Sequence, residues 1–260
     1  MSDVANGLRI CVLVKQIPDP NGITVDSDTR RAVFTGSTMV NTFDTYAVGQ
    51  ALDLKERFGG DVTIVSAGPA SAREAILRGL GTGADRSQHL LLDDAERRDS
   101  LALATLLADH LRGQGFDLIL AGQTSEDFET AQVGPQVAEL LDLPHVSLVT
   151  GVEYDGESFR VHRDSEGRKK VVSVSLPAML LVLSGRDGEQ RHPTLRGMMQ
   201  AKRKPLDVTT VPPVEQPAPM TWSEPEAPVR ARTATILRDI DPHDAAAQLA
   251  TWLRDKRLIS

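Results

Sequence analysis

The alternation of short apolar runs with stretches of helical period constrains this chain more than any single motif. Residues 9–14, 61–66, 88–92 and 116–121 are apolar runs bounded by polar residues, the pattern of strands buried on both faces of a parallel sheet. Tyr46, Ala47, Ala51, Leu52 and Leu54 recur at helical spacing after Asn41-Thr42-Phe43-Asp44, with Asp44 or Thr42 as the N-cap. Ala72, Ala75, Ile76, Leu77 and Leu80 form the apolar face of a helix over 71–80, which the glycines of 81–85 stop. Residues 100–111 and 131–141 read as two more helices, and 146–149 as a fifth strand after Pro144. Strands and helices alternating in this way mean βαβ units. The expected class is α/β, a mostly parallel, doubly wound sheet covered on both faces. Right-handed crossovers then bring every strand–helix turn to one edge.

From Val152 the period changes to alternation. Residues 152–154, 158–163 and 170–176 read as antiparallel strands joined by turns at Asp155-Gly156 and Glu166-Gly167, and 178–183 returns to the main sheet. Residues 23–34 suggest a small hairpin on the rim, and the first eight residues a lead before the first strand. After Leu206 the chain turns proline-rich, with Pro212, Pro213, Pro217, Pro219, Pro225 and Pro228 in a stretch without period. Asp241-Pro242 then opens a helix whose face is Ala245, Ala246, Leu249, Ala250, Trp252 and Leu253. The organisation is therefore a domain over 1–210, followed by an arm and helix over 211–260. Such an arm suits two arrangements, wrapping a second chain or folding back on its own domain.

A net charge of −7 argues against nucleic acid as a partner. No run approaches the ~18–20 apolar residues of a membrane span, and the N-terminus lacks a secretory pattern. Cys11, the single cysteine, lies within the first strand and reads as core filler. These features predict a cytoplasmic protein.

The richest turn is 122–135, Gly-Gln-Thr-Ser-Glu-Asp-Phe-Glu-Thr-Ala-Gln-Val-Gly-Pro. It matches neither the dinucleotide fingerprint nor the NTPase loop. It does sit between a buried strand and a helix, where unpaired N–H groups and the positive end of the dipole suit a phosphate. Leu13-Val14-Lys15, Ser66 to Pro69 and Asn41 to Asp44 come to the same sheet edge, and the small Ala67 and Gly68 would let a ring approach the backbone. Singly, each is an ordinary turn or cap; together they point to a nucleotide or anion site. No G-x-S-x-G elbow and no metal-ligand spacing of the six histidines is present. The acidic pairs Asp93-Asp94 and Glu126-Asp127 read as caps or solvated turns. The pattern favours a protein that holds a cofactor or partner.

With these residues in view, the chain resembles the β subunit of electron transfer flavoproteins, the family that includes FixA. The matching pieces are 14–20 (Val-Lys-Gln-Ile-Pro-Asp-Pro), 41–48 (Asn-Thr-Phe-Asp-Thr-Tyr-Ala-Val) and 65–69 (Val-Ser-Ala-Gly-Pro). They continue through 81–86, 130–135, 176–178 and 191–202, in order over residues 8 to 210. The resemblance implies an adenine nucleotide α-hydrolase-like fold and a heterodimer with an α subunit. In the family, FAD in the α chain takes electrons from flavin dehydrogenases, and the β chain carries AMP or, in bifurcating members, a second FAD. By position it implies a cofactor site of Leu13, Asn41, Thr42, Phe43, Asp44, Ala67, Gly122, Asp127, Thr130, Ala131, Gln132 and Val133. It also implies a loop, Arg191 to Lys202, that docks an acyl-CoA or other flavin dehydrogenase through Arg191, Leu195, Met198 and Lys202, with Leu195 as the anchor. The C-terminal arm is implied to wrap the α subunit. Thr42 stands where the family usually has proline, and the bulky Phe128 could narrow a flavin pocket; the 130–135 pattern resembles the bifurcating type and leans to FAD. Two other classes compete. A universal-stress-type nucleotide-binding protein would need a glycine-rich phosphate loop late in the chain, which is missing. A hydrolase or transferase using Asp127 or Glu129 would need a nucleophile or metal set that the sequence does not offer.

Overall fold

The apolar runs form the centre of one nine-stranded sheet in the computed structural model, which describes residues 7–34, 36–154, 158–185, 190–215, 219–220, 223, 225–228 and 234–259. The first half comprises β1 (Leu8–Leu13), β2 (Gln16–Pro18), β3 (Ile23–Val25), β4 (Ala32–Phe34), β5 (Thr38–Val40), α1 (Thr42–Phe58), β6 (Gly60–Gly68), α2 (Arg73–Thr82), β7 (Arg86–Leu91) and α3 (Ser100–Leu111). The second comprises β8 (Leu118–Gly122), α4 (Val133–Leu140), β9 (His145–Tyr154), β10 (Phe159–Ser165), β11 (Arg168–Val174), β12 (Ala178–Val182), α5 (Leu195–Ala201), β13 (Leu206–Thr210) and α6 (Pro242–Asp255).

The sheet order is β11-β10-β9-β12-β8-β1-β6-β7-β13. Every pairing from β9 to β13 is parallel, and only β9-β10-β11 is antiparallel. The chain runs outward from β1 to β6 and β7, then returns to β8 on the other side of β1. That reversal opens a crevice at the carboxyl ends of β1 and β8, the place where open α/β sheets bind ligands. Two cores flank the sheet. Ile10, Val12, Ile64 and Leu120 pack under α1 and α2, while Cys11, Val65, Ile119 and Leu181 pack under α3 and α4. Full burial pushes the Cys11 thiol well above its ordinary range, as suits a core side chain.

The structure corrects several boundaries. Helix α1 begins at Thr42 with Asn41 in the cap position, and Asp44 is a buried member of its first turn instead of the N-cap. Helix α2 starts at Arg73 after a 3-10 turn at Ala70–Ala72; Gly81 lies within it, and Gly83, at φ 146°, ends it. Helix α4 starts at Val133, two residues late, because Glu129 and Ala131 adopt left-handed φ values of 51° and 52°. The strand at 146–149 and that at 152–154 are one ten-residue strand, β9, which pairs in parallel with β12 through its first half and antiparallel with β10 through its second. The Glu166-Gly167 turn forms; the Asp155-Gly156 turn and Pro217 lie outside the described residues. Three elements escaped the sequence reading: the small β2-β5 sheet, helix α5 and edge strand β13.

The chain divides into two compact units, Met1–Pro225 and Glu226–Ser260. In the second, the Asp241 carboxylate accepts from the His243 N–H at 2.9 Å to cap α6, and Leu249 and Trp252 are exposed on that helix. Among the described residues no helix is long and apolar enough to cross a membrane.

Candidate functional site

The crevice is built where α1 presses its first turn between the ends of β1 and β8. Gly122 permits the approach: a Cβ there would fall 2.7 Å from Phe43 Cβ and 2.9 Å from the Asp44 nitrogen. Asp44 closes the joint. Its Oδ2 accepts from the Lys15 N–H at 2.7 Å, and its Oδ1 from the Gly122 N–H at 3.0 Å and Asn41 Nδ2 at 2.9 Å. Both strand ends are thereby tied to the helix. Burial pushes the Asp44 carboxyl up to about 7, against the pull of these donors and of the Lys15 charge.

Asn41 and Thr42 hold the turn that follows β8. Asn41 Nδ2 donates to the Thr124 carbonyl at 2.8 Å, and its Oδ1 accepts from the Glu126 N–H at 3.2 Å. The Thr42 N–H and hydroxyl donate to Glu126 Oε2 at 3.2 and 2.9 Å. A proline at 42 lacks both donors, so the threonine and Glu126 belong together. Further along, Lys15 Nζ meets both Asp127 oxygens at 2.8 and 2.7 Å and lies 4.7 Å from the centre of the Phe128 ring. Phe128 is half-exposed and lies against this lysine.

The left-handed residues Glu129 and Ala131 bracket Thr130 just before α4. Alternating backbone of this kind, followed by the open N–H groups of a helix's first turn, makes a concavity that suits an anion. Gln132 Oε1 accepts from the Ser100 hydroxyl at 2.9 Å, joining this end to α3. Thr124 Oγ1 and Gln136 Oε1 are buried without a partner. Such atoms take their partner from water or a bound group, so the residues present are compatible with a polar ligand such as a nucleotide.

The structure brings Asn41, Thr42, Phe43, Asp44, Gly122 and Asp127 together at the ends of β1 and β8, while Thr130, Ala131, Gln132 and Val133 follow along the same turn and are joined to α3 through Gln132. Leu13 is a core residue at the end of β1, and Ala67 is half-buried at the end of β6. Lys15 and Glu126, which the sequence places at this edge and in this turn, hold the turn through Asp127 and Thr42, and Gln136 is a buried polar residue of α4 outside those singled out. A cavity of about 130 Å³ lies apart from the turn, between α1, α2 and residues 190–193, and meets the crevice region at Val14 and Thr42.

The segment from Arg191 to Lys202 is largely helical. Thr194 caps α5 by accepting from the Gly197 N–H at 3.0 Å, which leaves Leu195 82% exposed at the helix start and Met199, one turn on, 67% exposed. Gly197 rests on the Gly81 carbonyl, and Met198 packs against Gly81 of α2. Arg191 turns back to α1, pairing with Asp53 and with Glu56 at 2.6 Å. Lys202 and Arg203 are exposed at the end of α5, while Lys204 turns inward and donates to the carbonyls of Leu80 and Ala84 at 2.9 and 2.6 Å.

The profile of the electron transfer flavoprotein domain matches residues 21–214, which include α1, the turn after β8 and the exposed α5 but not β1 or Lys15. The chain belongs to the electron transfer flavoprotein family. It is 34% identical over 199 residues to the electron transfer flavoprotein β subunit of Thermoanaerobacterium thermosaccharolyticum, covering 76% of each chain. The β subunit of Syntrophomonas wolfei is 32% identical over 250 residues, 95% of this chain and 96% of its own, so the likeness continues through the C-terminal arm. FixA of Azorhizobium caulinodans is 34% identical over 207 residues, 75% of this chain and 73% of its own. These relatives make it an electron transfer flavoprotein β-type chain and leave the universal-stress reading without support. In this family member, the crevice lies at the first turn of α1, and α5 packs apart from it on α2.

Proposed function

We propose that the chain is the β subunit of a heterodimeric electron transfer flavoprotein, an electron carrier in the cytoplasm that is redox active only together with an α subunit and flavin. FAD held by the α subunit would accept electrons from an acyl-CoA or other flavin dehydrogenase, supplying the one- and two-electron chemistry. This chain would hold an adenine nucleotide, AMP or a second FAD, in the crevice between β1 and β8. The single observation that carries the reading is that crevice, a switch-point site with an anion-suited turn and two orphaned buried oxygens. The residues that would hold the ligand are Asn41 to Asp44 and Ala67 for the base and ribose, and the N–H groups of Thr130 to Val133 for the phosphates. Leu195, exposed at the start of a helix that also carries Arg196 and is followed by the exposed Lys202 and Arg203, supplies an apolar anchor of the kind that dominates docking. The apolar face of α6, with Leu249 and Trp252 exposed, supports an arm that packs on the α subunit.

Co-expression with an α-like partner tests this. The purified pair should show a flavin spectrum and release nucleotide on denaturation. Two flavins per heterodimer identify a second FAD in this chain, and one flavin with one AMP identifies AMP. A chain that yields no flavin and no stable partner refutes the reading.

A further inference from the structure

Lys15 is engaged at the crevice through both its backbone and its side chain, and the proposed function gives it no role. Its N–H donates to Asp44 at 2.7 Å, and its carbonyl accepts from the Asn41 N–H at 3.0 Å, so its backbone is fixed at the end of β1. From that base its ammonium crosses to a turn 112 residues away. There it meets both oxygens of Asp127, the Ser125 hydroxyl at 3.3 Å and the face of Phe128. The Asp127 side chain is 15% exposed and that of Lys15 37%, so the pair is partly open to solvent and its strength comes from the bidentate geometry together with the Ser125 and Phe128 contacts.

The turn needs such a fastening. Glu129 and Ala131 sit in left-handed conformations that side chains with a Cβ adopt at a cost, and surrounding contacts must hold them there. Local bonds extend both Lys15 contacts along the turn: the Phe128 N–H donates to Asp127 at 3.0 Å, and the Glu129 N–H donates to the carbonyl of Ser125, the other Lys15 partner, at 2.8 Å. Asn41 and Thr42 secure Glu126 on one side, and Lys15 secures Asp127 next to it.

We propose that Lys15 is the positioning residue of the nucleotide turn: through Asp127 it fastens residues 125–131 to the end of β1 and so keeps the N–H groups of residues 130–133 in one arrangement. The inference rests on the nucleotide reading of the crevice. It differs from a direct role in which the ammonium leaves Asp127 and pairs with a ligand phosphate. The two roles have opposite signatures. If Lys15 fastens, removing either partner loosens the turn in the same direction. If Lys15 is a phosphate ligand, removing Asp127 frees it and tightens binding.

The test uses the full chain purified with its α-like partner, as wild type, Lys15→Met, Asp127→Asn, the double variant and Lys15→Arg. Two rates are read: loss of bound AMP or flavin during dialysis, and chymotryptic cleavage after Phe128. Lys15→Met and Asp127→Asn should each raise both rates about two- to fivefold, the double variant no further than either alone, and Lys15→Arg should restore both. Slower nucleotide loss in Asp127→Asn, additive effects in the double variant, or unchanged cleavage in Lys15→Met overturns the proposal. If the wild-type pair carries no AMP or flavin while cleavage still responds as expected, the fastening stands and the nucleotide reading falls.

Discussion

Gly122→Ala probes the joint on which the crevice depends. The added methyl would fall 2.7 Å from Phe43 Cβ and 2.9 Å from the Asp44 nitrogen, with Asp44 Oδ1 nearer still. Contacts under 3.0 Å are not sustained, and the atoms struck are mostly backbone or first side-chain carbon, so no rotamer change relieves them. Either β8 or the first turn of α1 has to move. Overpacking of this kind costs about 1–3 kcal/mol. Movement also pulls the half-buried Gly122 N–H from the Asp44 carboxylate, which adds a cost toward the lower end of the about 1–3 kcal/mol of a buried donor left unpaired. Against these stands the gain from a less flexible unfolded chain, about 0.4–1 kcal/mol, since Gly122 does not occupy the left-handed region. The costs win, by about 1–5 kcal/mol.

The assay is urea unfolding of the full chain followed by far-UV circular dichroism, with the m-value required to stay constant. Gly151→Ala serves as the control, because its methyl would meet His162 Cβ at an ordinary 3.9 Å. The control should change stability by no more than about 0.5 kcal/mol. Gly122→Ala should lower the midpoint clearly and reduce the nucleotide retained by the purified heterodimer. A Gly122→Ala chain as stable as the control and fully loaded with nucleotide would show that the α1–β8 contact is not the keystone described.

Asp44 predicts a pH dependence. Its carboxyl is raised from 3.8 to about 7 in the folded chain, so between those values the folded state keeps a proton the unfolded state has lost. Stability contributed by this group is therefore complete below about pH 4 and falls as pH rises to about 7, by at most about 4 kcal/mol; urea midpoints across that window should show the fall, and Asp44→Asn should flatten it. Leu195→Ala, at an 82% exposed position, should leave stability within about 0.5 kcal/mol and nucleotide content intact while slowing electron transfer from the dehydrogenase. Loss of nucleotide instead would place that residue elsewhere than in a docking surface. Gly197→Ala, whose methyl would run into the Gly81 carbonyl, should lift α5 from α2 and weaken docking with nucleotide content unchanged, as binding titrations with the dehydrogenase would report.

What the sequence made legible follows from how local each signal is. The central strands were readable because 9–14, 61–66 and 116–121 are apolar on both faces, a pattern that only a covered parallel strand requires. β13 was not, because at an edge Asp207, Val208, Thr209 and Thr210 are exposed and only the pairing with β7 defines the strand. β9 was split in two because its halves serve different partners, β12 in parallel and β10 antiparallel, and the hydrophobic period changes where the partner does. α5 has seven residues, too few for a helical period to declare itself, and its glycine reads as a breaker until Gly81 is seen beneath it. The same reasoning sorts the site. Asn41, Asp44 and the 122–135 turn could be gathered because topology alone sends them to one edge. Their roles could not, since Asp44 resembles a cap in sequence and becomes a tie only when the N–H groups of Lys15 and Gly122 arrive from two other strands. Lys15 is the extreme case, a single charge whose partner lies 112 residues away. Interactions of that span leave no periodicity to read, and they are where a fold shared across a family acquires the particular shape of one member's site.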